Sequence, residues 1–289
     1  MTVEAPKTWT IGSLVKWATD DFRARGIQNP RLDAELIVAF ALGIDRTHVI
    51  IDANRPLEGA ELAKLRELVK RRRAHEPVAY LRGEREFYGL TFRVDSRVLI
   101  PRPDTETLVD VALARSAHLS LSMRQLDLCT GSGCVAIAMA KQRPTAKVTA
   151  TDLSEDALAL ARENALRLGA YNVAFVPSDL FERVTGKFDV ITANPPYIPT
   201  AEVETLQPDI KDFEPRLALD GGADGLAIVR RIVQEAPAFL APGGLLAMEI
   251  GAGEAPDVRA LFEARGFTDV RVERDIARIE RVVSGVLPG

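Results

Sequence analysis

The tetrapeptide Asn194-Pro195-Pro196-Tyr197 is the part of the chain best suited to chemistry. Asparagine offers a carbonyl oxygen as acceptor, and the prolines after it lock φ, restrict the residue before them and remove backbone donors. The product is a rigid, acceptor-rich edge beside an aromatic ring. Such an edge can hold a planar –NH2 group by both hydrogens while leaving the nitrogen lone pair free to attack an electrophile. Most Pro-Pro pairs are simple turns. This one leaves an apolar run, residues 188–193, that reads as a buried strand.

A second constellation lies upstream. Leu126-Asp127-Leu128-Cys129-Thr130-Gly131-Ser132-Gly133 begins as a strand and ends in a turn that opens a helix. Gly131 and Gly133 let backbone approach a ligand where a Cβ would collide, and the helix N-terminus offers amides. Asp152, about 20 residues on at the end of the next strand, can accept from both hydroxyls of a ribose. Asp179, after the third strand, can accept from an adenine amine, with Leu180 and Phe181 placed to sandwich a purine. Gly131-x-Gly133-x-x-Ala136 also fits a dinucleotide fingerprint, so a NAD-dependent dehydrogenase is a rival.

Two features favour S-adenosylmethionine. Asp127, within the strand, can meet an amino-acid moiety through loop amides or water. The fourth strand, moreover, delivers an amine-holding edge for which a dehydrogenase has no use. The expected cofactor set is Cys129, Thr130, Gly131, Ser132, Gly133, Asp152, Leu153, Asp179, Leu180 and Asn194. The expected substrate set is Asn194, Pro195, Pro196 and Tyr197, with Asn194, Pro195 and Tyr197 catalytic.

These residues need strand ends to hold them, and the pattern supplies them. Residues 1–78 read as helical: Ile11, Leu14, Val15 and Ala18 share a face behind Thr10 as N-cap, and Asn29-Pro30 opens a second helix. A third helix runs into Lys70-Arg71-Arg72-Arg73, a basic run that reads first as a solvated helix end and otherwise as a contact for an acidic or nucleic-acid partner. Residues 79–103 read as a hairpin linker rich in aromatics and glycine. From 104 to 289 strands and helices alternate, with strands at 125–129, 147–151, 173–176, 188–193, 244–250, 269–273 and 281–286. Alternation of this kind predicts an α/β, Rossmann-like, mostly parallel seven-stranded sheet with helices on both faces. The last two strands are too close in sequence for a crossover helix, so the final strand is antiparallel.

Composition narrows the class. The 289 residues are 47% hydrophobic and 27% charged, enough for sizeable cores. A net charge of −4 gives no support for whole-protein attraction to nucleic acid. The two cysteines, Cys129 and Cys134, are too few for a disulfide framework and have no metal-site partners nearby, so a reducing compartment and no metal are expected. Glu4 and Lys7 interrupt the N-terminus, which shows no signal peptide, and no apolar stretch reaches the roughly 20 residues of a membrane span. A cytoplasmic monomer is the expectation.

With both motifs in hand, the sequence resembles the class I S-adenosylmethionine-dependent methyltransferases, and within them the HemK/PrmC family of protein-glutamine N5-methyltransferases. The resemblance rests on Glu86-Phe87-Tyr88-Gly89, on Val98-Leu99-Ile100-Pro101-Arg102-Pro103-Asp104-Thr105-Glu106, and on the glycine loop. It continues through Asn194-Pro195-Pro196-Tyr197-Ile198, Phe213-Glu214-Pro215, Ala218-Leu219 and Arg281-Val282-Val283. It implies a small N-terminal helical domain that engages a protein substrate, a hairpin linker and a catalytic sheet. The implied reaction moves a methyl group to the glutamine amide of the Gly-Gly-Gln loop in class I peptide chain release factors and leaves S-adenosylhomocysteine. Close alternatives are a ribosomal-protein glutamine and, with base flipping, an exocyclic amine of a nucleic acid. Arg102, Asp104 and Glu106 serve either a cofactor or a helix cap. The turn Ala277-Arg278-Ile279-Glu280 departs from the glycine- or asparagine-rich turn expected before Arg281.

Overall fold

The computed structural model describes residues 8–120 and 122–289; Glu4 and Lys7 lie outside them. The chain forms two compact units. One runs to Gly83 and includes Pro208–Phe213, and the other spans Glu84–Gln207 and Glu214–Gly289.

The first unit is built from α1 (Ile11–Ala24), α2 (Pro30–Leu42), α3 (Arg46–Ile51), α4 (Gly59–Arg73) and α5 (Val78–Arg82). Thr10 and Ser13 cap α1 reciprocally, Pro30 opens α2 and Gly43 ends it in the left-handed region. Ile11, Phe22, Ile37 and Leu65 are sealed in the shared core. Each such side chain contributes about 1.5–3 kcal/mol.

Two local expectations fail here. The basic run is not a solvated end: Arg72 is 4% exposed, with its Nε 2.8 Å from Asp33. Arg71 pairs with Glu76, and Arg73 lies 3.0 Å from Asp21. Their acidic partners are distant in sequence or beyond the helix end, where periodicity does not look. Residues 79–82, read as part of a hairpin, instead belong with Val78 to one helical turn between Pro77 and a left-handed Gly83.

The second unit opens with the hairpin β1 (Glu84–Phe87) and β2 (Leu90–Arg93). Tyr88 (φ +51°) and Gly89 (φ +70°) make the tight turn between them. Then follow α6 (Glu106–Arg115), β3 (Arg124–Leu128), α7 (Cys134–Gln142), β4 (Lys147–Asp152), α8 (Glu155–Leu168), β5 (Val173–Pro177) and β6 (Phe188–Ala193). After β6 come α9 (Thr200–Val203), α10 (Pro208–Lys211), which falls in the first unit, and α11 (Ala227–Glu235). The chain ends with β7 (Leu240–Glu249), α12 (Ala255–Ala264), β8 (Thr268–Arg274) and β9 (Glu280–Val286).

The large sheet has the order β5-β4-β3-β6-β7-β9-β8. Only β9 runs against its neighbours, as the short connection to β8 requires. Both faces are buried: Leu245 and Ala247 point into one core, Leu246 and Met248 into the other. The chain leaves β3 toward β4 on one side and reaches β6 on the other, which opens a crevice at the carboxyl ends of β3, β4 and β6. The β8–β9 turn closes with Arg278 at φ +65°, the Asp275 carboxylate accepting from the Ile279 amide at 3.0 Å. A side-chain bond there replaces the glycine expected at such a turn.

Asn164, sealed inside α8 and passed over in the sequence, fastens the hairpin to the sheet. Its Oδ1 accepts from the Arg93 amide at 2.7 Å, and its Nδ2 donates to the Arg93 and Ser132 carbonyls, each at 3.0 Å. Asn164→Ala strands these backbone groups without partners. It is expected to lower unfolding free energy by roughly 2–4 kcal/mol in urea titrations; a loss near zero would show that water replaces the amide.

Candidate active site

At the crevice the strands end in polar groups that burial forces into pairs. Asp127 on β3 is sealed, with Thr130 Oγ1 donating to it at 2.6 Å and Thr192 Oγ1, on β6, at 2.7 Å. Burial raises its pKa to about 6 against the pull of those two hydroxyls. The carboxyl thus locks the glycine turn to the strand that carries Asn194. Its oxygens serve those threonines, and it still borders the cavity.

Beyond β3, Cys129 turns left-handed (φ +55°) and Gly131 follows at φ +53°. A Cβ on Gly131 would meet no protein atom within 4 Å, so the turn presents bare backbone to open space. Gly133 has a different duty. Its φ is +81°, and a Cβ would sit 3.0 Å from Ile137 Cδ1 and 3.2 Å from Ala161 Cβ, so it permits close packing of α7 on α8.

Asp152, at the end of β4, accepts from the Gly131 amide at 2.8 Å and the Ser154 amide at 2.9 Å. The Leu153 amide also favours its charged form, which leaves one lone pair free. Burial moves its carboxyl upward, and those amides oppose the shift. The thiols of Cys129 and Cys134 are also driven up by burial, that of Cys134 to about 12, so both stay protonated and lack thiolate reactivity.

One cavity gathers most of the residues singled out from the sequence. Cys129, Thr130, Gly131, Ser132, Asp152, Leu153, Asp179, Leu180, Asn194 and Pro196 all line it. Gly133, Pro195 and Tyr197 do not. Pro195 is buried, and the Tyr197 phenol turns away to lie 3.4 Å from Glu249 Oε1. Phe181 also departs from expectation: it is buried and stacks on Phe239 at 4.6 Å, leaving Leu180 and Leu153 as aliphatic walls. Asp179 lies 3.1 Å from Arg231, so one of its oxygens already faces a cation.

The string around Pro101 is part of the site as well as a cap. Val98, Leu99, Pro101, Arg102 and Thr105 border the cavity, facing Pro215, Leu217 and Ala218 across it. Arg102 pairs with the buried Glu214 at 2.5 Å, and Glu214 also accepts from the Ile100 amide at 3.1 Å. Asp104 lies 3.6 Å from Arg281, while Glu106 accepts from the Tyr88 amide at 2.8 Å. The last two therefore serve structure. Thr105 accepts from Asn194 Nδ2 at 3.2 Å.

Behind the tetrapeptide stands a second backbone. Ile198 and Gly221 exchange main-chain bonds with the segment opposite, the Gly221 amide donating to the Ile198 carbonyl at 2.8 Å and the Ile198 amide to Leu219 at 3.0 Å. A Cβ on Gly221 would lie 2.8 Å from the Pro196 carbonyl oxygen, and one on Gly225 2.4 Å from that of Tyr197. Neither glycine was singled out from sequence, since only the folded contact reveals the need.

Glu249, at the end of β7, is 1% exposed, and burial raises its carboxyl from 4.5 to about 7 against the Thr105 hydroxyl and the Arg281 charge. The folded state therefore holds a proton that the unfolded chain releases between those values. Stability falls as pH rises through that window and stays lower above it. Glu249→Gln removes the penalty, so its stability relative to the parent protein should improve by roughly 3 kcal/mol between about pH 4 and pH 8. A difference independent of pH in urea titrations would contradict the burial-driven shift.

The geometry can now be set beside known proteins. The chain matches the PrmC N-terminal domain over residues 13–83 and the methyltransferase small domain over residues 105–210. It is 45% identical over 283 residues to the release factor glutamine methyltransferase of Geobacter sulfurreducens, covering 98% of each chain. With that of Caulobacter vibrioides it shares 41% identity over 289 residues, 99% of this chain and 97% of the other. A solved methyltransferase from Pyrococcus furiosus has the same fold, with a TM-score of 0.53 at 21% identity over 70% of this chain and 91% of its own. Identity at that level over nearly the full length of its relatives, together with the matched fold, means that the chain belongs to the release factor glutamine methyltransferase family.

Proposed function

We propose that this protein transfers the methyl group of S-adenosylmethionine to the side-chain nitrogen of the glutamine in the Gly-Gly-Gln loop of class I release factors. The observation that carries the reading is a shared cavity: the glycine turn with Asp152 lines it together with Asn194. The residues present fit the cofactor. Gly131 presents bare backbone, Asp152 is held with one lone pair to spare, and Leu153 and Leu180 supply apolar walls for a purine. When bound, the sulfonium supplies an electrophilic methyl group.

The protein's own task concerns the acceptor. A carboxamide nitrogen is a weak nucleophile because its lone pair is delocalised into the carbonyl. Asn194 Oδ1 at the cavity wall takes one N–H of the glutamine, and the Pro195 main-chain carbonyl, set behind that wall, takes the other as the substrate seats, which fixes the amide and favours positive charge developing on nitrogen. No strong base is needed, since the methylated nitrogen sheds its proton readily to water. Tyr197 serves as an anchor for the tetrapeptide through Glu249, in place of a wall against the amide. The helical unit is the natural site for gripping the protein substrate, and a release factor would be met in the cytoplasm. Nucleic acid is a poorer candidate, because Arg71, Arg72 and Arg73 are committed to acidic partners.

Incubation with methyl-labelled cofactor and a purified release factor should add one methyl to the glutamine of the Gly-Gly-Gln peptide, read by mass spectrometry. No transfer, or a methyl on another residue, would refute the assignment. Asn194→Ala should lower kcat by roughly 100-fold or more while calorimetric cofactor affinity holds. Asp152→Ala should do the reverse, weakening cofactor binding by about tenfold or more. An unchanged affinity would remove Asp152 from the cofactor site.

A further inference from the structure

The two ends of the Asn194 carboxamide have nearly the same shape and opposite chemistry. Turned one way the group offers Oδ1 to the cavity; turned the other it offers two N–H donors, which would repel the –NH2 of a substrate amide. Some neighbour must choose between them. Thr105 is that neighbour: it is buried, borders the cavity, and its Oγ1 lies 3.2 Å from Asn194 Nδ2.

A hydroxyl can donate or accept, so it enforces a choice only if its own proton is engaged elsewhere. On the other side of Thr105 stands Glu249, whose charged form the Thr105 hydroxyl favours. Glu249 Oε1 faces the Tyr197 phenol at 3.4 Å, and the sealed Oε2 has no hydrogen-bond partner among the described residues, an acceptor left open to that hydroxyl. No step of the proposed reaction uses this carboxyl.

We propose that Thr105 is a positioning residue, its hydroxyl proton directed to the Glu249 carboxylate so that only its lone pairs face Asn194 and the Asn194 amide is fixed with Nδ2 inward and Oδ1 toward the cavity. The proposal rests on the reading of Asn194 as acceptor given above. The rigid Pro103–Thr105 turn ahead of α6 holds the threonine in place. The charged and titratable groups around Glu249 are few. Arg281 on β9 stabilises its anion, Asp104 opposes it, and the Tyr197 phenol, itself pushed upward by burial, donates to it. Cys134 feels its charge from α7. Protonation of Glu249 removes the acceptor that orders the relay and lets the hydroxyl turn toward Asn194. Turnover is therefore tied to the ionised form and rises with pH through neutrality.

The test compares Thr105→Val, Thr105→Ser, Glu249→Gln and Asn194→Ala, with a release factor as substrate and calorimetry for the cofactor. Thr105→Val should lose kcat by roughly tenfold to a hundredfold while cofactor affinity and the KM for protein stay within about threefold. Thr105→Ser should recover most of the loss. The rise of kcat with pH should vanish in Glu249→Gln. Full turnover in Thr105→Val beside an inactive Asn194→Ala would overturn the relay and leave the acceptor reading standing. Full turnover in Asn194→Ala would overturn both. If Thr105→Val does not fold, the pH profiles decide: the same profile with and without the Glu249 carboxyl refutes the proposal.

Discussion

A carboxyl sealed at the centre of a sheet must be hydrogen-bonded or neutral, and in this protein that constraint joins the two halves of the site. Asp127 takes one hydroxyl from Thr130 in the glycine turn and another from Thr192 on the strand that ends in Asn194. Gln125 extends the chain by donating to Thr192 at 3.2 Å. The glycine turn and the strand end that carries Asn194 are thus fixed relative to one another by a buried polar seam. Apolar packing alone tolerates small slips of adjacent strands, whereas a network of short directional bonds in low dielectric does not.

The long string from Val98 to Glu106 shows how one stretch of chain can hold several assignments at once. Arg102 reaches Glu214, far along the sequence, and so fixes the segment that carries Pro215 and Leu217 on the cavity wall. Thr105 meets Asn194, and Glu106 steadies the β1–β2 turn through the Tyr88 amide. Prolines at 101 and 103 keep these three directions fixed. Residues that face different ways from one rigid stretch have little room for substitution.

Much of this was legible in the sequence because it is local. The 188–193 strand and the Thr10 cap follow from periodicity and end signals, and the structure places them there. The lone antiparallel strand followed from loop length. The meeting of Asn194 with the glycine turn followed from where strand ends lie in an alternating fold. The misses share a cause, since each depends on a partner remote in the chain. Phe181 has the position of a purine wall in the sequence, yet Phe239 draws it into the core. Tyr197 turns to Glu249, and Arg72 is buried against Asp33. Asn164 carries no local signal, because its partners Arg93 and Ser132 lie far from it in the chain.

The glycines at 221 and 225 have a thermodynamic meaning. They press bare main chain against Pro196 and Tyr197, so the rear of the tetrapeptide touches atoms that possess no rotamers. A partition of that kind has few alternative states to visit. The disorder it forgoes is surrendered once, while the chain collapses, and need not be surrendered again at each encounter with a substrate.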